Sequence, residues 1–156
     1  MNKNNNNVFL TKEGLENLKK ELKTLIETKR PDIAKRIKEA REMGDISENS
    51  EYDAARQEQS FVEGRIEELE EIVKNAKVSE PKKRDCIDVG CKVTVHIDGN
   101  EESFHIVGAM EANPLEKKIS HDSPLGSALL GKKVGDKIEV DVPIGKLTYT
   151  IIKIEY

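Results

Sequence analysis

Four carboxylates crowd one short stretch of the chain. Asp45, Glu48 and Glu51 lie within Gly44-Asp45-Ile46-Ser47-Glu48-Asn49-Ser50-Glu51-Tyr52, and Asp53 follows directly. Carboxylate oxygens are hard donors of the kind that Mg²⁺ and Ca²⁺ take, so metal binding is one chemistry open to this stretch. A solvated, charged turn is the other. Two carboxylates on an exposed loop make no complete cage, because Mg²⁺ keeps its waters and needs further ligands to be held firmly. A metal bound here would have to belong to a site that another molecule completes.

Basic residues gather beside the acidic stretch. Lys35, Lys38 and Arg41 recur every three residues, Arg36 lies among them, and Arg56 follows on the other side. On one face of a helix such residues can meet phosphates or simply water. Cys86, Cys91, His96 and His105 do not read as a zinc site, since no C-x-x-C pair exists and the histidines lie in strand-like segments flanking a turn. The chain also lacks G-x-G-x-x-G, Walker A, G-x-S-x-G and H-E-x-x-H patterns, so self-contained catalysis is not expected.

Helices must hold the acidic turn. From Thr11, a suitable N-cap, leucines at 15, 18, 22 and 25 alternate by three and four, the seam of a coiled coil. The seam then slips one place to Ile26, Ile33, Ile37 and Ala40, with Arg30-Pro31 at the slip, which predicts a kink or brief break near Pro31. Met43-Gly44 reads as a helix C-terminus, and Ser50-Glu51-Tyr52-Asp53 as a capping box that restarts a helix. The second seam runs through Tyr52, Ala55, Gln59, Val62, Ile66, Leu69, Val73 and Ala76. Two such seams predict an antiparallel helical hairpin. At ~1.5 Å per residue, helices of roughly 25 to 30 residues span roughly 40 Å and carry the turn away from its anchor. Gly64 inside the second helix has no evident reward.

The period changes after Ser79-Glu80-Pro81-Lys82-Lys83-Arg84-Asp85, which reads as a linker. Cys91 to Ile97 and Ser103 to Val107 alternate around Asp98-Gly99-Asn100, a hairpin signal, and Ile138 to Val142 and Leu147 to Ile154 add two strands. Between them, Ser123 to Gly131 predicts a short helix with proline in its first turn. The fold class is therefore α+β in two domains. Residues 1–80 form the coiled-coil hairpin with its acidic tip at 44–51, residues 81–85 the linker, and residues 86–156 a small, mostly antiparallel sheet domain with a short helix.

Composition narrows the partners. The 156 residues are 36% charged and 36% apolar with no Trp, which predicts a thin core and an elongated molecule. A formal charge of −4 argues against a whole-surface grip on nucleic acid, so any such contact must be local. The Asn-rich opening lacks a signal peptide's apolar stretch, and no run approaches the ~18 apolar residues of a membrane span. A cytoplasmic protein with reduced thiols is expected.

Residues 40–56, Ala-Arg-Glu-Met-Gly-Asp-Ile-Ser-Glu-Asn-Ser-Glu-Tyr-Asp-Ala-Ala-Arg, resemble the bacterial Gre family of transcript cleavage factors. Further landmarks follow in the family's order: Thr11, Gly14 and Leu18 at the start, Arg30-Pro31, Phe61-x-Glu63-Gly64-Arg65-Ile66, Ile119-Ser120, Asp122-Ser123-Pro124 and Val134-Gly135-Asp136. The resemblance implies a monomeric elongation factor that inserts its coiled coil into the secondary channel of RNA polymerase and docks an FKBP-like C-terminal domain on the rim. It implies that Asp45 and Glu48 help to hold the second Mg²⁺ of the polymerase active centre during hydrolysis of backtracked RNA, supported at the tip by Gly44, Ser47, Asn49, Glu51 and Tyr52. It further implies that Arg41 and Arg56 touch the RNA 3′ segment, that Asp122, Ser123 and Pro124 dock on the polymerase, and that DNA is touched weakly within the elongation complex. The chain would have no cofactor and no enzymatic activity of its own.

Two other readings compete. An FKBP-like domain suggests a peptidyl-prolyl isomerase or chaperone, yet only Phe104, Tyr149 and Tyr156 are available to line a proline pocket there. An inhibitory Gre-like factor would use the same hairpin with a differently charged tip, and Asp45 and Glu48 favour stimulation of cleavage.

Overall fold

The computed structural model describes residues 7–44, 49–81 and 85–156. Thr11 starts the first helix as its type predicts: its hydroxyl accepts from the Gly14 N–H at 3.0 Å, and α1 runs Lys12–Thr24. At the slip before Pro31 the helix does not break. Leu25–Lys29 form a π-helical turn, the Arg30 N–H donates to the Leu25 carbonyl, and α2 continues as Arg30–Glu42. A π-turn closes its hydrogen bond one residue later than an α-turn, so it absorbs a one-place slip of the seam without unwinding the chain.

Beyond residues 45–48, α3 spans Ser50–Asn75. Ile33, Ile37, Ala55, Val62 and Ile66 form one buried cluster between α2 and α3, and Leu22, Leu25, Ile26 and Tyr52 pack at its margin. Each fully buried isoleucine contributes roughly 1.5–3 kcal/mol. An exposed ion pair contributes about 0–1 kcal/mol, so the apolar seam holds the hairpin and the ion pairs refine its alignment. Arg30 forks onto Glu63 with both contacts at 2.7 Å, and Arg65 forks onto Glu21 at 2.8 and 3.1 Å. The seam's last turn departs from the predicted spacing. Ile72 is buried and Val73 only half-buried, while Ala76 leaves the helix altogether.

Ala76–Val78 is strand β2, which pairs in parallel with β1, Val8–Leu10, in the register Val8↔Ala76 and Leu10↔Val78. The Ser79 N–H extends the ladder to the Leu10 carbonyl at 2.9 Å. Neither strand is predicted by the sequence pattern. The pair explains why the compact units do not follow chain order: Leu15–Asn75 forms one, and the described parts of Met1–Gly14 and Ala76–Tyr156 form the other. Of the expected linker, residues 82–84 lie outside the described residues.

The second unit carries a five-stranded sheet of β3 (Lys92–Ile97), β4 (Asn100–Val107), β5 (Lys118–Ser120), β6 (Lys137–Val142) and β7 (Gly145–Glu155), ordered β5-β4-β3-β7-β6. It is antiparallel from β4 to β6, and β5 adds a parallel edge. Asp98 and Gly99, with φ of 49° and 83°, make the predicted tight hairpin between β3 and β4. Val93 and Val95 alternate into the core while Lys92 and His96 face out, and Leu129 of α4, Pro124–Leu129, is buried in the same cluster. The α+β class with a helical hairpin and a small sheet domain is thus observed. Among the described residues, no helix is long and apolar enough to cross a membrane.

A Cβ built on Gly64 meets nothing within 4 Å, and its backbone is helical. Gly64→Ala should therefore stabilise the protein by about 0.5–1 kcal/mol, read as a higher midpoint in urea. The Arg30 guanidinium holds the Glu63 carboxyl below its ordinary range. A carboxyl lowered on folding stabilises the fold above its unfolded pKa, and that contribution disappears as pH falls through the folded value. Glu63→Gln should thus melt slightly below wild type at neutral pH, and the two melting curves should converge in acid.

Candidate functional site

The two helix ends that flank the acidic segment are joined by one side chain. At the end of α2 the Met43 N–H donates to Glu39 O at 3.2 Å, and Gly44 takes φ +125°, a region that glycine tolerates and other residues rarely enter. Asp45, Ser47 and Glu48 lie outside the described residues. Asn49 Oδ1 accepts from the Glu51 and Tyr52 N–H groups at 3.1 and 3.2 Å, while its Nδ2 donates to the Ala40 carbonyl at 2.8 Å. Asn49, and not Ser50, is the N-cap. A carboxamide carries both acceptor and donors, so it satisfies the start of α3 and the end of α2 together, which a serine hydroxyl one residue further in does not. Glu51 and Asp53 occupy the first turn of α3, where negative charge suits the helix dipole.

Arg41 lies over the Tyr52 ring at 5.8 Å, and Tyr52 also packs at the edge of the apolar cluster. Arg56 follows Tyr52 by four residues on the same face of α3 and donates to Gln59 Oε1 at 2.8 Å. The structure therefore brings Arg41, Tyr52 and Arg56 to one side of the hairpin. Arg36 belongs elsewhere. Its Nε and Nη2 donate to Glu51 Oε1 at 3.1 and 2.9 Å, and its Nη1 donates to Glu58. Lys35 stands 3.8 Å from Glu39.

In the sheet unit, Ser123 caps α4: its Oγ accepts from the Gly126 N–H at 3.0 Å and donates to Ser120 O at 2.7 Å. A Cβ on Gly126 would stand 2.0 Å from that Ser120 carbonyl, so the loop closes only around glycine. Ser123 is thereby turned inward while Asp122 and Pro124 stay exposed. His121 Nε2 meets Asp122 Oδ1 at 3.1 Å, and the His121 ring takes the Phe9 ring edge-on at 5.7 Å. Beside them an open groove of about 390 Å³ is lined by Val8, Phe9, Met110, His121 and Asp122. Sequence reasoning missed Phe9 and Met110; the apolar run Val8-Phe9-Leu10 directly before a helix cap was the available signal.

It also missed Glu111. Its carboxylate accepts from the Thr11 N–H at 2.8 Å, from the Thr11 hydroxyl, and from the Gly108 N–H at 3.3 Å. A Cβ on Gly14 would stand 2.0 Å from Glu111 Oε1, and one on Gly108 would stand 1.9 Å from Phe9 O. Among the described residues, no three His, Cys, Asp or Glu side chains gather as a metal site.

A polar helical hairpin whose second helix is capped by Asn49, together with a small sheet unit, is the architecture that two family models match across most of the chain. Residues 8–78 match the family described as "Transcription elongation factor, N-terminal" and residues 81–156 match "Transcription elongation factor, GreA/GreB, C-term". The chain belongs to the GreA/GreB family of transcription elongation factors. It is 52% identical over 151 residues to transcription elongation factor GreA of Thermoanaerobacter pseudethanolicus, covering 94% of this chain and 96% of that one. It is 49% identical over 154 residues to GreA of Acetivibrio thermocellus, covering 96% and 97%. Among solved structures it resembles GreA factor homolog 1 (Gfh1) of Thermus thermophilus, at 35% identity and a TM-score of 0.45 over 96% of this chain and 99% of that one.

Asn49→Ala removes the cap and should cost about 1–2 kcal/mol in urea unfolding followed by circular dichroism. Asn49→Asp keeps the acceptor and loses the donor to Ala40, so it should fall between wild type and the alanine variant.

Proposed function

We propose that this elongation factor binds RNA polymerase, passes its hairpin tip through the secondary channel, and stimulates cleavage of the 3′ end of backtracked RNA. The observation that carries the reading is the Asn49 bridge. It ties the ends of α2 and α3 together on either side of the segment that bears Asp45 and Glu48, in a chain that matches the GreA/GreB family over residues 8–78 and 81–156. Docking falls to Asp122 and Pro124, with Ser123 shaping the loop.

The donor set suits the role. Asp45 and Glu48 supply carboxylate oxygens, the ligands Mg²⁺ accepts one or two at a time alongside water and phosphate. A second Mg²⁺ in the polymerase centre supplies charge stabilisation to the attacking and leaving oxygens of an in-line displacement. Asp45 and Glu48 would add negative charge and oxygen ligands where that ion is otherwise weakly held, and they can orient a water by accepting hydrogen bonds from it. Arg41 and Arg56 face the RNA, where contacts to phosphate position the strand without reading its sequence. The chain thus lends ligands and leaves catalysis to the polymerase.

A prolyl isomerase reading finds no support in the sheet unit. Tyr149 is buried in the core, Phe104 packs against it, and neither lines an open aromatic pocket.

The test is 3′-end RNA cleavage in stalled, backtracked elongation complexes with Mg²⁺. Asp45→Asn combined with Glu48→Gln should lower the saturating cleavage rate by about a hundredfold, the scale expected when preorganised charge is removed from a reacting centre. Undiminished cleavage by that variant would sink the tip mechanism. Asp122→Ala should instead raise the half-saturating factor concentration by about fivefold to tenfold, the loss typical of a contact at an interface centre.

A further inference from the structure

We propose that Arg36 is a positioning residue for the acidic tip: it clamps the first two turns of α3 onto α2 and engages Glu51, removing both side chains from the groups that meet RNA or metal. This rests on the tip mechanism proposed above. Glu51 and Glu58 lie seven residues apart, two turns on one face of α3, and the single Arg36 guanidinium reaches both across the hairpin. A planar guanidinium holds the direction of its donors, as a lysine ammonium does not.

The clamp lies at the turn-side end of the large apolar residues. Arg36 leaves α2 between Ile33 and Ile37, its two glutamates stand on either side of Ala55 in α3, and beyond Ile37 the buried seam residues nearest the turn are Ala40 and Ala55, one methyl each. Methyl groups exclude water and tolerate sliding. A slide of one residue would swing every α3 side chain by about 100° and carry both glutamates away from Arg36. The fork therefore fixes rotation and register together, close to the Asn49 bridge from which the acidic segment departs. Its side chains are partly exposed, at 39% for Arg36, 58% for Glu51 and 38% for Glu58, and exposed ion pairs add little to global stability. Its effect is expected in geometry rather than in melting temperature.

Two measurements on the full-length chain test this. Without polymerase, amide hydrogen exchange across residues 50–58 should accelerate in Arg36→Gln by about fivefold or more as local opening becomes easier, with a melting temperature close to wild type. On backtracked complexes, Arg36→Gln should lower the saturating cleavage rate by about tenfold, the scale of a small misplacement, and leave the half-saturating concentration within about twofold. Arg36→Lys should recover little. Glu51→Gln with Glu58→Gln should reproduce the defect, and adding Arg36→Gln to that pair should cause no further loss, because the three act as one unit. Unchanged exchange in Arg36→Gln overturns the clamp. An unchanged saturating rate, or a raised half-saturating concentration with a shallower salt dependence, overturns the positioning role, the latter assigning Arg36 to phosphate. If wild type stimulates no cleavage, the proposed function falls, and the exchange result still judges the clamp.

Discussion

The apolar seam between α2 and α3 is the interaction on which the hairpin depends. Ile33 and Ile37 meet Ala55, Val62 and Ile66 across it, and most of the remaining surface of both helices is charged. With so few apolar residues, the seam must be used without error. The π-turn at Leu25–Lys29 is the device that permits this. It absorbs the one-place slip before Pro31, so that Leu22 and Leu25 on one side and Ile33 and Ile37 on the other can all face α3.

Charge then divides by position along the hairpin. The forks of Arg30 onto Glu63 and Arg65 onto Glu21 stand along the seam, and that of Arg36 onto Glu51 and Glu58 stands nearer the turn. Each joins helices that the seam has already brought together, so each is worth more as alignment than as stability. Arg41 and Arg56 contrast with them, since one lies over an aromatic ring and the other donates within its own helix. A basic stripe in a sequence therefore contains two populations. Spacing alone could place Arg36 beside Arg41 but could not reveal the carboxylates facing it from the other helix.

That limit is general to what the sequence made legible. The helices, their seam, the Thr11 cap, the hairpin at Asp98-Gly99 and the short helix after Ser123 were readable because each depends on residues near one another in the chain. The β1–β2 pair was not, because three-residue strands carry too little periodicity and these partners lie 68 residues apart in register. The cap of α3 fell between. Asn49 and Ser50 are both good N-cap residues, and the choice was made by the Ala40 carbonyl across the turn, a partner no local pattern announces.

The same long-range contacts give physical meaning to the sequence landmarks of the family. Gly14 is where the Glu111 carboxylate approaches the start of α1 too closely for a Cβ, and Gly126 is where the Ser120 carbonyl does the same to α4. Arg30 and Arg65 are interhelical forks, and Asp136 caps its turn by accepting from the Lys133 N–H at 2.9 Å. Gly64 stands apart, since a Cβ there would meet nothing within 4 Å among the described residues. The acidic tip is the opposite case. Asp45 and Glu48 are carboxylates of the kind that hard cations take, and in the function proposed above they act together with a second macromolecule; what the described residues contribute is the Asn49 carboxamide, which joins the ends of α2 and α3 on either side of them.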